Sequence, residues 1–351
     1  MAVLFSCGQC GALLEAEERA IGMAKECPAC HTAIKVPHPT PGGDAVAPRI
    51  LRLATADSLP ESRTEPGMLI AGFRIKQFIA RGGMGEVYLA EQLSAARDVA
   101  LKILPPQFHP TPETVASFLE EVRVASRLHH PNLVSAFEAG EDRGIYYLAM
   151  PFIDGETVHA RLHREGPMSE AVALAITEEL ATALAWAWDT HRLIHCDIKP
   201  GNIMLNRDGK PYLMDMGLSK LMTDSTVEVR ETHGTPNYVS PEQAAGTMQL
   251  DIRTDMFSLG MTLYHMLSGQ VPFDAPTVEE TLQQLHTGTL PDPRIFNPTV
   301  SENCVMLLRA ILAREPSERY WDWNSLVSDV ARVRAGEAPE RSMTTNSVLG
   351  A

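Results

Sequence analysis

Four polar side chains in the middle of the chain have the types and the spacing that phosphoryl transfer requires. Residues 195–202 have the sequence HCDIKPGN, which places Asp197, Lys199 and Asn202 on one short loop, and Asp215 follows thirteen residues after Asn202. An aspartate can orient a hydroxyl nucleophile and accept its proton, a lysine can neutralise a transferring phosphoryl group, and amide and carboxylate oxygens can hold metal ions. Because positioning and electrostatic stabilisation supply most of its catalysis, phosphoryl transfer needs little more from a protein.

A glycine-rich turn further upstream can bring backbone N–H groups close to phosphates. Residues 79–89 have the sequence IARGGMGEVYL, and Gly82, Gly83 and Gly85 have no Cβ atom to block a close approach. A plain β-hairpin has the same signature. The next predicted strand, with the sequence VALK, ends in Lys102, and a glycine-rich turn followed by a strand lysine favours a nucleotide site.

Hydrophobic periodicity predicts the elements that position these residues. Residues 111–113 (TPE) are typical of a helix start, and apolar residues then recur at helical spacing as far as Ala125. A second, long amphipathic helix is predicted from Ser169 onward, and it leads into the loop that carries Asp197. Strands are predicted at residues 73–79, 133–137 and 145–151.

In this order along the chain, the segments resemble the glycine-rich loop, strand lysine, catalytic loop and metal-binding motif of protein kinases. The resemblance runs from about residue 73 to residue 334, and Lys199 with the downstream pair Gly234-Thr235 fits the bacterial, eukaryotic-like (Hanks-type) serine/threonine kinases. It implies an α+β, bilobal protein-kinase fold, with a β-rich small lobe at residues 67–151 and a helical large lobe at residues 152–335. It also implies ATP-dependent phosphorylation of serine and threonine hydroxyls of proteins, with autophosphorylation.

The resemblance assigns a role to each polar residue of the central segment. Asp197 would orient the acceptor hydroxyl and receive its proton, and Lys199 would stabilise charge on the γ-phosphate. Asn202 and Asp215 would hold Mg²⁺ (or Mn²⁺). The chemistry of these side chains makes the roles feasible, while the assignment itself comes from the family.

The resemblance also predicts the nucleotide site. Lys102 would contact the α- and β-phosphates of ATP and pair with Glu121 on the first helix, although the residues alone allow a solvated acid at Glu121 equally well. Met150 would be the gatekeeper beside the hinge, where backbone groups bind adenine. The residues implied in nucleotide binding are Ile79, Ala80, Gly82, Gly83, Met84, Gly85, Val87, Ala100, Lys102, Glu121, Met150 and Ile153.

Residues 215–242 resemble an activation segment, and the loop beside it departs from the family pattern. Cys196 stands where most relatives have an arginine, which would bind a phosphate on this segment. We therefore hypothesise that activity does not depend strongly on phosphorylation of the segment. A redox-sensitive Cys196 is the alternative, although most buried thiols are inert. The candidate phosphorylation sites are Thr223, Ser225, Thr226 and Thr232.

Two other departures are milder. Ala80 replaces the first glycine of the glycine-rich loop, and Met216 replaces a phenylalanine of the metal-binding motif. The second is an exchange of one apolar side chain for another, so the packing contact should remain. Further along the chain, Arg319 matches the arginine that pairs with Glu242 in the family.

The first 36 residues predict a small zinc-binding module. Cys7 and Cys10 form one Cys-x-x-Cys pair, Cys27 and Cys30 form another, and sixteen residues separate the pairs. This spacing matches a zinc ribbon, in which four thiolates complete a closed tetrahedral Zn²⁺ site. Because a segment this short cannot bury enough apolar surface to fold alone, the metal would supply its folding free energy. A structural Zn²⁺ is favoured over a catalytic one, since four cysteines leave no open position.

Residues 37–66 and 336–351 lie outside the predicted ribbon and kinase domain. Residues 37–66 have the composition of a flexible, Pro-rich linker. The apolar island at 50–53 within it could dock on the kinase domain, but we favour the alternative that it has no role. Residues 336–351 are predicted to be a disordered tail.

The net charge of −14 argues against nucleic-acid binding by the whole chain. We find no signal peptide or long apolar run, and the chain ends too early for the external sensor domain of many bacterial relatives, so we expect a cytoplasmic protein.

Two other functions are consistent with the sequence. One is a pseudokinase, a nucleotide-binding scaffold without transfer, which the full set of chemically needed side chains disfavours. The other is a zinc ribbon that binds a partner, with the kinase as its output. The ribbon has no basic stripe, which favours a protein partner over nucleic acid.

Overall fold

The chain divides into two compact units, which comprise residues 1–64 with 275–281 and residues 65–274 with 282–351. The second unit contains all the segments predicted for catalysis. The computed structural model describes residues 2–6, 13–17, 23–26, 33–35, 51–52, 65–82, 85–104, 112–215, 220–221, 236–246, 250–341 and 347–350.

Two antiparallel β-hairpins make up most of the described part of the N-terminal segment. Their strands are β1 (Ala2–Ser6), β2 (Leu13–Glu17), β3 (Ala24–Glu26) and β4 (Ala33–Lys35). Pairing extends to the strand ends, so residues 7–12 connect β1 to β2 and residues 27–32 connect β3 to β4. The predicted zinc ligands Cys7, Cys10, Cys27 and Cys30 belong to these two connections, outside the described residues.

A short strand lies within the stretch predicted to be a flexible linker. Strand β5 (Leu51–Arg52) pairs in parallel with β2, and Leu51 lies opposite Leu14. Leu51 and Arg52 belong to the apolar island at residues 50–53. The linker prediction is therefore wrong at these two residues, because the edge of β2 is open to one more strand.

Six antiparallel strands form the sheet of the small lobe, in the spatial order β10-β11-β9-β8-β7-β6. Its largest core cluster contains the side chains of Phe73, Tyr88 and Leu101, and a second cluster joins the sheet to α1 through Leu104 and Phe118. The elements are β6 (Leu69–Ile70), β7 (Phe73–Gly82), β8 (Gly85–Gln92), β9 (Arg97–Leu104), α1 (Pro112–Ala125), β10 (Glu138–Asp142) and β11 (Ile145–Pro151).

The predicted strand at residues 133–137 is wrong, whereas the strands predicted at 73–79 and 145–151 are confirmed. The polar run Glu138–Asp142 forms the strand instead, because the tight turn at Arg143 and Gly144, both with positive φ, pairs it with β11. Leu133 and Val134 are buried, and they contact the large lobe instead. Hydrophobic content alone did not distinguish an anchored loop from a strand.

The remaining elements carry the catalytic loop and the core of the large lobe. Helix α5 is buried at every residue except Arg253, so it is the centre of this core, and α3 and α8 pack together beside it. In chain order, the elements that follow β11 are β12 (Gly155–Thr157), α2 (Val158–Glu165), α3 (Glu170–His191), β13 (Leu193–Ile194), β14 (Ile203–Asn206), β15 (Pro211–Leu213), β16 (Lys220–Leu221), α4 (Pro241–Ala244), α5 (Ile252–Ser268), α6 (Val278–Thr287), α7 (Glu302–Ile311) and α8 (Trp323–Arg334).

Helix α3 is the one helix within the described ranges that is long and apolar enough to cross a membrane by length and composition. A core helix passes the same test. Half of the apolar stretch is buried inside the fold, where Leu180 and Leu184 belong to the core of the large lobe. Its composition is therefore weak evidence for a membrane span.

The C-terminal residues 347–350 pack on the large lobe, so the prediction of a disordered tail is wrong there. Val348 is fully buried, its N–H donates to the carbonyl oxygen of Leu312 at 3.0 Å, and its own carbonyl accepts the N–H of Leu290 at 2.7 Å. Upstream, the buried carboxylate of Asp329 accepts the N–H of Glu340 at 2.7 Å. A single apolar pair, Val348 and Leu349, in a polar stretch was too weak a signal to predict this contact.

Removing residues 342–351 is expected to lower the free energy of unfolding by about 3–6 kcal/mol, because Val348 and Leu349 each contribute about 1.5–3 kcal/mol by burial. Chemical denaturation would measure the loss. Val348→Ala with Leu349→Ala in the full chain should reproduce most of it. An unchanged denaturation midpoint in the truncated chain would contradict the packing described.

Candidate active site

A buried carboxylate on α5 fixes the backbone of the catalytic loop. Asp255 is 1% exposed, and it accepts the N–H of His195 at 2.6 Å and that of Cys196 at 2.8 Å. Burial raises the pKa of Asp255, and the charge of His195 and the two amide donors oppose that shift. The His195 ring adds a second brace, since Nε2 contacts the carbonyl oxygen of Met214 at 3.1 Å and Nδ1 accepts the N–H of Asp197 at 3.2 Å.

The structure brings Asp197, Lys199 and Asn202 together, as the sequence predicts. Lys199 Nζ lies 2.8 Å and 3.0 Å from the two carboxylate oxygens of Asp197. Asn202 Nδ2 donates to Asp197 Oδ2 at 2.8 Å and to the Asp197 carbonyl oxygen at 2.9 Å, which leaves Asn202 Oδ1 to act as a ligand atom. The carboxylate is thus held in one orientation beside a cation, as an acceptor for a hydroxyl proton must be.

Lys102 joins three separate segments of the chain. Its Nζ lies 2.7 Å from both carboxylate oxygens of Glu121 and 3.4 Å from Oδ1 of Asp215, so the predicted ion pair with Glu121 is confirmed. Burial alone would lower the pKa of Lys102, but the charges of Asp215 and Glu121 raise it above its ordinary value. One ammonium group therefore faces two carboxylates, and this surplus negative charge suits a divalent cation.

Asp215 is placed to take part in such a site with Asn202. Its side chain is 44% exposed, unlike the buried Glu121. The N–H of Met214 donates to the carbonyl oxygen of Asn202 at 2.9 Å, which sets the two predicted metal ligands on neighbouring backbone segments. Within the described parts of the chain, no cluster of three or more His, Cys, Asp or Glu side chains forms a metal site by itself.

The predicted nucleotide-binding residues line up across the small-lobe strands. Val87 lies opposite both Ala80 on β7 and Lys102 on β9, and Ala100 lies opposite Met150 on β11. Val87, Ala100 and Met150 are partly exposed, as expected for residues that line a cleft.

The other predicted nucleotide residues are placed less fully. Ile79 lies on β7 with an exposed side chain, and Ile153 follows β11 by two residues and is partly exposed. Gly82 ends β7 and Gly85 begins β8, so the predicted turn lies between these two strands. Gly83 and Met84 lie outside the described residues, and so do Met216 and the candidate phosphorylation sites Thr223, Ser225, Thr226 and Thr232.

Comparison with known proteins agrees with this geometry. A family model described as "Protein kinase domain" matches residues 73–328, which is most of the chain. The chain belongs to the protein kinase family. Members of this family use ATP with Mg²⁺ or Mn²⁺ to phosphorylate proteins, and the bacterial relatives it resembles are named serine/threonine-protein kinases.

Three bacterial relatives show how far the similarity extends. The kinase is 33% identical to serine/threonine-protein kinase PrkC of Bacillus subtilis, over 75% of this chain and 41% of that protein. It is 33% identical to PknB of Mycolicibacterium smegmatis, over 79% of this chain and 45% of that protein. It is also 33% identical to pkn3 of Myxococcus xanthus, over 83% of this chain and 56% of that protein. The chain spans about half the length of these curated relatives.

A buried ion pair fixes Glu242, in the first turn of α4, to the large lobe. Arg319 is fully buried, and its guanidinium lies 2.7 Å and 2.9 Å from the two carboxylate oxygens of Glu242, so the predicted pair is confirmed. Burial alone would raise the pKa of Glu242, but the hydrogen bonds and charge of Arg319 lower it below its usual value. The carboxylate therefore stays ionised at neutral pH.

Sequence reasoning missed three features of the site. Cys196 and Asp215 have positive φ values, 66° and 63°, which L-residues rarely adopt and which occur where the surrounding structure holds them. Gln243 reaches the catalytic loop, and the Ser240-x-x-Gln243 spacing of a capping box was the signal that could have singled it out. No feature of the sequence distinguishes the two strained positions.

Replacing Gly85 with alanine is expected to raise the KM for ATP by about tenfold or more. Gly85 has a φ of +126°, and a Cβ atom there would lie 2.2 Å from the carbonyl oxygen of Ile103, so β8 and the glycine-rich turn would have to shift away from β9. Steady-state transfer at varied ATP concentration measures this change. Gly72→Ala is the matched control, since Gly72 also has positive φ but open space around it. Equal KM values for both variants would contradict the argument.

Proposed function

We propose that this chain transfers the γ-phosphate of ATP to serine and threonine hydroxyls of proteins through Asp197, Lys199, Lys102, Asn202 and Asp215. The observation that carries the proposal is the position of Lys102 between Glu121 and Asp215. That arrangement requires the small-lobe sheet, α1 and the loop after β15 to meet at one place. Lys102, held by the Glu121 carboxylate, would bind the α- and β-phosphates.

Asp197 and Lys199 would act on the acceptor and on the transferred group. The acceptor hydroxyl oxygen forms a bond to the γ-phosphorus while the bond from that phosphorus to the ADP oxygen breaks. Asp197 would orient the hydroxyl and receive its proton, and Lys199, 2.8 Å away, would neutralise charge that develops on the γ-phosphate.

Asn202 and Asp215 fit the divalent cation that the family uses. Both offer oxygen atoms, which Mg²⁺ prefers, and the unbalanced carboxylate charge around Lys102 favours a cation. When bound, such an ion neutralises phosphate charge. Holding that ion is the role we propose for Asn202 and Asp215.

A labelled-phosphate assay with a generic basic protein would test this proposal. With ATP and Mg²⁺, label should appear on the protein substrate, and acid hydrolysis should recover it as phosphoserine and phosphothreonine. If label is absent while ATP still raises the melting temperature of the chain, the pseudokinase function would replace the proposal. Label on tyrosine alone would also contradict it.

We further propose that residues 1–36 form a zinc ribbon. The support is that each Cys-x-x-Cys pair belongs to the connection of one β-hairpin, residues 7–12 or 27–32, so both pairs have the same sequence relation to their strands. Four thiolates would hold a structural Zn²⁺. Elemental analysis should find one zinc per chain and lose it in Cys7→Ser with Cys27→Ser, while Cys304→Ser should retain it. Protein purified without chelator that holds no zinc would contradict the ribbon.

The partner and the cellular site of this protein are proposals too. We propose that the ribbon binds another protein and that the kinase acts in the cytoplasm, on the basis of the composition and charge of the sequence. A pull-down with the full chain, compared with the Cys7→Ser, Cys27→Ser variant, tests whether a partner depends on the ribbon. If the full chain and the variant capture the partner equally well, the ribbon does not bind it.

A further inference from the structure

Gln243 joins the short helix α4 to the catalytic loop. Its Nε2 donates a hydrogen bond to the carbonyl oxygen of Cys196 at 3.0 Å. The acceptor is the residue directly before Asp197, so the contact lies one peptide unit from the proposed base. Cys196 is 7% exposed, and unlike an arginine its side chain offers a phosphate no cationic partner.

The orientation of the Gln243 side chain is fixed from its other end. Its Oε1 accepts the N–H of Ser240 at 3.1 Å, while the N–H of Gln243 donates to Ser240 Oγ at 3.3 Å, so the two residues form a reciprocal capping box. With Oε1 committed as an acceptor, Nε2 is left to donate. The cap of α4 and the contact with Cys196 therefore use opposite ends of one amide.

Both backbone polar groups of Cys196, its N–H and its carbonyl oxygen, are hydrogen-bonded to side chains of the large lobe. Its N–H donates to Asp255 at 2.8 Å, and its carbonyl accepts from Gln243. With a φ of 66°, Cys196 has a strained backbone that persists only where its surroundings hold it. Because Asp197 follows directly, the orientation of the Cys196 peptide decides where the Asp197 carboxylate lies.

We propose that Gln243 is a positioning residue for phosphoryl transfer, which sets Asp197 through an uncharged hydrogen bond to Cys196. The Arg319–Glu242 ion pair fixes the same helix to the core of the large lobe, so α4 is a firm base for this contact. The consequence is that the kinase orients its catalytic loop without a phosphate on the activation segment. The inference rests on the proposed function, since it concerns the rate of that reaction.

The variant Gln243→Glu separates this role from the stability of α4. Ser-x-x-Glu is also a capping box, so the cap of the helix is retained, but the carboxylate cannot donate to Cys196 and faces its carbonyl oxygen. We expect kcat to fall by about tenfold or more, because the Asp197 carboxylate shifts from its productive position once the hydrogen bond to Cys196 is lost. The KM for ATP and the melting temperature should stay near the wild-type values. Gln283→Glu, on an exposed part of α6, adds the same charge as a control.

A second variant tests the consequence for phosphorylation. Replacing Thr223, Ser225, Thr226 and Thr232 with alanine should leave kcat within about twofold of the wild type, because the contact at Cys196 is still made. A wild-type kcat in Gln243→Glu, or a collapse of kcat in the four-alanine variant, would overturn the inference. A fall in kcat that follows a lowered melting temperature would also overturn it, in favour of a purely structural role. If the wild type transfers no phosphate at all, the proposed function fails instead.

Discussion

Replacing Asp197 with asparagine is expected to reduce kcat for phosphate transfer by about 10³-fold, because an amide cannot accept the hydroxyl proton and general-base catalysis contributes about 10²–10⁴-fold. Asparagine keeps the size of the side chain and one oxygen for Lys199 and Asn202, which now hold the carboxylate at 2.8 Å. ATP binding should change little, since Lys102 and Glu121 are untouched. Steady-state kinetics with varied ATP would separate kcat from KM.

The control for this variant is Asp208→Asn. Asp208 is an exposed aspartate in the turn between β14 and β15, on the same lobe, and its replacement removes the same charge. Its kcat should match the wild type. An Asp197→Asn enzyme that keeps more than about a tenth of the wild-type kcat would mean that Asp197 is not the proton acceptor.

Replacing Arg319 with methionine is expected to have the largest effect on stability, a loss of about 3–5 kcal/mol, because it leaves the Glu242 carboxylate buried without its partner. The guanidinium also donates to the carbonyl oxygens of Ala313, Arg253 and Arg314 at 2.8–2.9 Å. At about 2–4 °C per kcal/mol for a domain of this size, the melting temperature should fall by roughly 10 °C. Thermal denaturation would measure the change.

A surface ion pair provides the comparison for Arg319→Met. Arg207 and Asp154 lie 2.8 Å apart, but their side chains are 79% and 60% exposed, so solvent screens them. Arg207→Met should leave the melting temperature unchanged. Adding Glu242→Gln to Arg319→Met should recover part of the lost stability, since it removes the unpaired charge. Equal losses in Arg207→Met and Arg319→Met would contradict the role given to the buried pair.

The sequence predicted those parts of the active site in which a side chain of one chemical type is required at a fixed spacing. Lys102, Asp197 and Asn202 are such residues, and the pairs Lys102–Glu121 and Arg319–Glu242 follow from matching motifs in order. Glu121 shows the limit of the residues alone, which allowed a solvated acid. Only the tertiary structure shows a buried carboxylate 2.7 Å from Lys102 Nζ.

The errors arose where long-range packing overrides local pattern. The apolar run at 133–137 does not form a strand because its leucine and valine anchor a loop to the large lobe, while the polar residues 138–142 pair with β11. Val348 and Leu349 are too short an apolar run to indicate a packed tail, yet both are buried, and Val348 hydrogen-bonds to the backbone of Leu290 and Leu312. Hydrophobic periodicity describes one element at a time and does not show which surface that element packs against.

Transfer of labelled γ-phosphate from ATP with Mg²⁺, measured in parallel for the wild type and Asp215→Ala, tests the central claim most directly. The Asp215 side chain is 44% exposed, so its loss should remove activity without unfolding the protein. We expect label on serine and threonine with the wild type and none above background with Asp215→Ala, at similar melting temperatures. Equal labelling by the two proteins would contradict it, because transfer would then proceed without the proposed metal ligand.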